Sequence, residues 1–376
     1  MKIGFDAKRA FLNKSGLGNY SRNILNGLSK YFPNDSFQLY TPKTNDLKLY
    51  QKQENQEISL PSGLINSNFK SFWRSKGILK DLKTDKIDLY HGLSNELPFG
   101  IEKTGIKSVV TIHDLIFMRY PEFYPKIDRF IYEKKFKSAC KRANQIIAIS
   151  QQTKEDLIHF LSVPEQKIKV VYQNCHPQFY EKQSEEKINS ILDKHKIPNE
   201  FMLYVGTIEA RKNVLTAIKA WHVSKTEIPF LIVGKSTPYI NEIKFYLDKY
   251  HLNEKVLFRH GIENHELPGL FQQALLFIYP SIFEGFGIPI LEAMTSGTPV
   301  ITSKGSCFEE TGGEAAFYVN PTDVGEMKEA ILSLISDSTL RENAIKKGFL
   351  QAEKFKEEKI ATDLMNVYSN LLTLHS

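Results

Sequence analysis

Cysteine, tryptophan and long apolar runs are what this chain has least of. It holds three cysteines and two tryptophans in 376 residues. Cys140, Cys175 and Cys307 are scattered and odd in number. They form neither a disulfide framework nor a zinc spacing, the pattern expected in a reducing compartment. No apolar run approaches the ~20 residues that cross a bilayer. No leader is read before the first buried stretch, because Lys2-Ile3-Gly4-Phe5-Asp6-Ala7 already has the pattern of a strand. A cytoplasmic protein is therefore expected. No Gly-x-Gly-x-x-Gly is followed by a ribose-binding acid at the distance a dinucleotide fold needs, which points away from an NAD-dependent oxidoreductase. No nucleic-acid-binding module appears, and no nucleic acid partner is expected.

What is present is a long, ordinary globular composition with an uneven charge. Hydrophobic content of 41% and charged content of 24% fit folded domains, and the length suits two of them. Residues 1–180 carry 28 Lys and Arg against 17 Asp and Glu, a balance of +11, whereas the remainder stands at −5. Lys134, Lys137 and Lys141 fall on one helical face, and Lys70-Ser-Phe-Trp-Arg-Ser-Lys76 interleaves aromatics with cations. Such a half can rest on anionic headgroups, hold a phosphorylated acceptor, or be solvated surface.

Short apolar runs alternate with helical patterns, which predicts parallel sheets built from βαβ units. Strands are expected at 2–7, 37–41, 87–91, 108–113, 145–150 and 167–172, then at 201–207, 230–234, 256–260, 276–280, 299–303 and 316–319. Between the two sets lies the polar stretch 181–200, read as a linker plus a short helix outside the second sheet. The last fifty residues read as helix, to about Leu374.

Residues 276–303 are the most informative. An apolar run ends at Tyr279-Pro280-Ser281; the loop Glu284-Gly285-Phe286-Gly287 follows; Pro289 opens a helix bearing Glu292; Val300 starts a new strand. The unit aims free backbone N–H groups and two carboxylates at one spot. N–H groups suit a phosphate, and carboxylates accept hydrogen bonds from sugar hydroxyls. In a second constellation, Tyr204-Val-Gly-Thr-Ile-Glu-Ala-Arg-Lys-Asn213, Arg211 and Lys212 sit in a turn past a strand's carboxyl end, where α/β sheets bind ligands. Cations there stabilise a leaving diphosphate.

The Glu-x7-Glu pair and the string around it resemble the signature of retaining glycosyltransferases of family 4. The resemblance covers residues 1 to about 370, more strongly in the second half. It implies a GT-B fold, two facing Rossmann-like αβα domains with a cleft between them and a C-terminal helix crossing back. Residues 1–180 would bind the acceptor, 181–356 the nucleotide-sugar donor, and 357–376 would return to the first domain. By resemblance Lys212 contacts the donor phosphates, Glu292 the ribose, and Glu284 the transferred sugar. Gly206, Gly234, Lys235, Ile262, Leu291 and the main chain of Phe286, Gly287 and Ile288 complete the donor side. Thr207 stands where many relatives have an arginine, and Arg211 would compensate. Gly16 and Gly18 form a loop closing over phosphate and acceptor; Gly18, Tyr20 and His91 would line the acceptor side, and His113 would lie by the hexose. No Asp-x-Asp stands at a strand end, so cations and a helix dipole are expected to replace a metal ion. No cofactor is expected beyond the nucleoside diphosphate sugar, with GDP-mannose the first donor and UDP- or dTDP-sugars as alternatives. The acceptor would be a glycan or lipid-linked sugar in cell-surface polysaccharide synthesis, made at the inner face of a membrane. Gln173-Asn-Cys-His-Pro177 departs from the family pattern and is read as an interdomain hinge. Two other readings stay open: a nucleotide-sugar 2-epimerase on the same fold, and a catalytically silent glycan-binding subunit.

Overall fold

A computed structural model describes residues 1–44, 49–63, 66 and 68–373. The chain forms two compact units, one from residues 1–174 with 356–376, the other from 175–355. The divide thus falls inside the 173–177 segment, ahead of the polar stretch from 181 where the sequence pattern put it.

The first unit holds a seven-stranded sheet: β1 (Lys2–Asp6), β2 (Ser36–Tyr40), β3 (Gln56–Ser59), β4 (Leu89–Gly92), β5 (Lys107–Ile112), β6 (Gln145–Ala148) and β7 (Ile168–Val170). Every pairing is parallel, in the order β3-β2-β1-β4-β5-β6-β7. The second unit holds β8 (Met202–Val205), β9 (Phe230–Val233), β10 (Val256–Arg259), β11 (Leu276–Tyr279), β12 (Val300–Ser303) and β13 (Ala316–Val319). They are also all parallel, in the order β10-β9-β8-β11-β12-β13. Runs such as Phe-Leu-Ile-Val in β9 and Leu-Phe-Ile-Tyr in β11 are buried along their whole length. That is what a sheet covered on both faces requires. All twelve expected strands are present. β3 is an addition: its Gln56 is fully buried but polar, and donates to the Leu25 carbonyl at 2.9 Å.

Helices connect the strands. In the first unit are α1 (Lys8–Leu12), α2 (Gly16–Tyr31) and α3 (Lys126–Arg142). The second contains α4 (Glu185–His195), α5 (Val214–Ser224), α6 (Leu267–Gln273) and α7 (Ile288–Thr295). The final helix, α8 (Glu357–Thr373), belongs to the first unit and packs on α2. Leu374, where the sequence pattern ended this helix, lies outside the described residues.

Each core is built from aromatic and branched side chains. Trp73 is fully buried in the first and donates its Nε1 hydrogen to Asp81. The 70–76 stretch is therefore not a solvated aromatic–cation stripe, although Phe69 and Phe72 are exposed. Trp221 anchors the second core and donates to the Ile228 carbonyl at 2.8 Å. In both sheets the strand order reverses once, between β1 and β4 and between β8 and β11. At such a switch point neighbouring loops diverge to opposite faces and leave a crevice beyond the carboxyl ends of the strands.

Candidate active site

At the switch point of the second unit, the turn after β8 meets the loop after β11. Asn213 ties them together. It stands in the left-handed region (φ 56°) just before α5 and donates to the carbonyls of Pro280 at 3.2 Å and Pro321 at 2.6 Å. Arg211 and Lys212 precede it, and both reach Glu284. Lys212 Nζ lies 2.8 Å from Glu284 Oε1 and Arg211 lies 2.9 Å from Oε2. The hydroxyl of Tyr279 accepts from Lys212 at 2.8 Å and donates to Glu284 at 2.9 Å. Arg211 also pairs with Glu209 at 2.8 Å and donates to the Phe283 carbonyl. Ser306 and Cys307 donate to the Glu284 carbonyl at 3.0 and 3.3 Å, fixing the loop.

The electrostatics follow from this packing. Burial would raise the Glu284 carboxyl, but Lys212 and Arg211 outweigh it and hold it down at about 2. Burial likewise opposes the Arg211 charge, yet Glu284 and Glu209 keep that group above its ordinary value. Glu292, on α7, has the opposite environment. Burial pushes it up to about 8, and no protein group among the described residues hydrogen-bonds its carboxyl. Two carboxylates eight residues apart are thus set at opposite ends of the range.

The N-terminus of α7 supplies the third element. Gly287 precedes it at φ 89°, a conformation that side chains rarely adopt. Among the described residues the N–H groups of Gly287 and Ile288 have no partner, and Pro289 has none to offer. They present the positive end of the helix. Phe286 is buried with its ring edge-on to Phe355 at 5.4 Å. Leu291, expected to touch the donor, is instead a buried side chain of α7 with no exposed surface. Gly206 and Gly234 follow β8 and β9; Gly234 packs so tightly on the Gly206 carbonyl that a Cβ would lie 1.8 Å from it. Thr207 is half-buried, its carbonyl bonded by Tyr204; Lys235 is exposed and Ile262 half-buried. Among the described residues no three His, Cys, Asp or Glu side chains gather as a metal site would need.

The first unit holds the other expected residues. His113 follows β5, and its Nε2 lies 2.9 Å from the Leu93 carbonyl, which can only accept. The proton therefore sits on Nε2, and among the described residues the Nδ1 lone pair has no hydrogen-bond donor. Burial lowers this ring to about 4. Tyr20 stands edge-on to it at 4.6 Å and shares a 3.0 Å bond with Thr111. His91 is a correction. Its Nδ1 is 2.6 Å from the Tyr368 hydroxyl and its Nε2 is 2.8 Å from Thr111, with no exposed surface. Both nitrogens are committed inside the unit, so it cannot line an acceptor surface. Gly18 is another correction. It lies within α2, not in a loop, and a Cβ there would stand 1.9 Å from the Asn13 carbonyl. Its role is close packing. Gly16 is exposed at the start of α2. Asp114 caps the following helix through the Ile116 N–H at 3.1 Å. Cys175 is buried with its thiol pushed up to about 12, while His176 is exposed, so the two form no nucleophilic pair.

Tyr279, Asn213 and Glu209 join the site without a role that the sequence pattern assigns them. Tyr279 and Asn213 stood at the ends of the two motifs, and only the fold shows that they join them.

Comparison with known proteins agrees with this geometry. A family model described as glycosyl transferases group 1 matches residues 184–351, and one described as glycosyltransferase family 4 matches residues 14–173. The O-antigen chain mannosyltransferase B of Escherichia coli is 30% identical over 296 residues, 77% of this chain and 76% of its own. A sucrose-phosphate synthase from Thermosynechococcus elongatus superposes with a TM-score of 0.81 at 20% identity, covering all of both chains. The Anabaena protein HepE, solved with UDP, superposes at 0.76 with 18% identity, over 98% of this chain and all of its own.

Proposed function

Because this chain belongs to family 4 of the glycosyltransferases and has their two-domain GT-B fold, we propose that it moves a hexose from a nucleoside diphosphate sugar to a glycan hydroxyl with retention of configuration. The observation that carries the proposal is the convergence of Arg211, Lys212 and the unpartnered N–H groups of Gly287 and Ile288 at one switch point. A diphosphate gains charge as its glycosidic bond breaks. Fixed cations and a helix terminus stabilise that charge more in the transition state than before it. Glu284 holds both cations, so the donor phosphates would share them with it. Glu292, unpartnered, would accept from ribose hydroxyls. His113 would accept from a sugar hydroxyl through Nδ1. With positive charge supplied by side chains, the transfer would need no metal ion. The leaving phosphate oxygen can take the acceptor proton on the face it departs from, so no protein nucleophile is required.

Mannose is the first donor sugar in this reading, supported by the activity in the name of the Escherichia coli relative. A lipid-linked acceptor at an anionic membrane is supported by α3. Ile127 is 73% and Phe130 58% exposed, with Lys126, Lys134 and Lys137 beside them. Apolar side chains among lysines suit a helix lying in a bilayer interface. No helix among the described residues is long and apolar enough to cross a membrane.

The test is transfer from GDP-mannose, UDP-glucose and dTDP-rhamnose in excess chelator, with the product anomer read by NMR. Retention without added metal is expected; inversion, or activity restored only by Mg²⁺ or Mn²⁺, would refute the mechanism. Binding to anionic vesicles at low salt, lost in the Lys134→Glu, Lys137→Glu, Lys141→Glu variant, is the separate check on the surface.

A further inference from the structure

The first unit has its own switch point, between β1 and β4, and a cavity of about 590 Å³ opens there. That volume suits a small ligand. Seven basic side chains line it against two carboxylates, Asp6 and Glu96. Arg74 takes up both, at 2.8 and 2.6 Å, and Lys135 stands 3.6 Å from Glu96. Lys8, Arg9, Lys70 and Arg142 have no carboxylate partner among the described residues. The Nε of Arg9 and that of Arg142 are buried without any hydrogen bond. Lys8 is lowered from its ordinary value by burial and then by the nearby Arg74 and Arg9. Partly buried cations that repel one another are costly to keep without counter-charge. An anion in the cavity converts that repulsion into pairing and gives Arg9 the fork geometry it lacks, whereas Arg142 already donates to Ser138 and to the Leu97 carbonyl and contributes charge.

We infer that this cavity binds a phosphate or carboxylate group carried by the acceptor, so that the enzyme extends an anionic sugar chain or sugar ester. The inference rests on the transferase reading above. Its place in the fold agrees: β1 and β5 lie two strands apart in the sheet order, roughly 10 Å, so the anion sits at the same carboxyl edge as His113. Phe99, exposed over Arg142 at 4.5 Å, forms an apolar rim.

The test uses inorganic pyrophosphate and glucuronate as probes, titrated by calorimetry into full-length protein whose donor site is saturated with GDP. Pyrophosphate binding that weakens at least about tenfold in Arg9→Gln and in Lys8→Gln, but not in Lys212→Ala, supports the site and assigns it to phosphate. The same pattern with glucuronate supports it and assigns a carboxylate. Unchanged melting temperatures of the two variants without anion exclude misfolding as the cause. No binding of either probe to the GDP-saturated wild type overturns the inference, as does binding lost in Lys212→Ala yet kept in Arg9→Gln. Failure of the donor reading shows separately, as failure of GDP, UDP and dTDP to bind at all; the anion titration is then run without nucleotide and judged by Arg9→Gln alone.

Discussion

Glu284 and Glu292 show how one residue type is set to two tasks by its surroundings. Glu284 is the counter-charge of Arg211 and Lys212. Replacing it by glutamine leaves two buried cations facing a neutral amide, and should cost about 3 kcal/mol of stability in urea unfolding. Its lowered value fixes the pH dependence. The folded protein binds fewer protons here than the unfolded chain, so the contribution is present above 4.5 and lost as pH falls toward about 2. The gap between wild type and Glu284→Gln should close in that window. Glu292 runs the other way. Its folded form holds a proton that the unfolded chain releases, so stability is present below 4.5 and lost as pH rises through about 8. Glu292→Gln should therefore gain on the wild type above pH 8, by about 1 to 2 kcal/mol after discounting for its partial exposure. Equal melting temperatures at pH 9 would show that the carboxyl is better solvated than its position implies.

Among the elements, α4 illustrates what the sequence pattern showed and what it hid. A polar stretch with Ser184 followed by three charged residues predicted a short helix, and Ser184 does cap it through the Lys187 N–H. What holds the helix in place was not legible. Glu266, just before α6, is buried and takes Lys194 at 2.7 Å, His195 at 3.1 Å and the Glu263 N–H at 2.8 Å. Burial opposes its charge, but these donors hold it at about 2. Glu266→Ala should cost about 2 kcal/mol in denaturant unfolding and raise amide exchange along α4; unchanged exchange would mean that apolar packing alone seats the helix. The twelve expected strands were legible because their apolar runs are continuous, as two covered faces demand. β3 was not, because Gln56 fills an interior position with an amide satisfied by Leu25, Tyr50 and Gln53, pairings that no local pattern encodes. The Arg211–Lys212 turn and the Glu284 loop were legible as loops because each follows the end of a strand, whereas Glu292 lies beyond its loop, on α7. His91 and Leu291 misled because a strand end and a helix start both carry inward and outward positions, and only the packing says which is which.

At the scale of the whole molecule, the chain passes from one unit to the other and back. Its last helix, α8, supplies the Tyr368 hydroxyl to His91, and through Thr111 the same chain of bonds reaches Tyr20 beside His113. His91 is neutral, lowered to about 3 by burial and then by His113, so it donates from one nitrogen and accepts at the other. Tyr368→Phe leaves one of them unpaired in the interior. It should destabilise the first unit by about 1 to 3 kcal/mol and leave nucleotide binding by the second unit unchanged. A loss of nucleotide affinity in that variant would show that the two units are energetically linked.

The return of α8 also sets an order of assembly. Residues 175–355 are one continuous stretch and can fold as soon as they leave the ribosome, whereas the unit that contains residues 1–174 lacks Leu364, Tyr368 and Leu371 of its core until α8 has been made. The first half of the message is therefore the last to mature. A stop codon near residue 356 would leave the second unit whole, yet by removing α8 it would strand the first unit with an open flank for chaperones or proteases to find.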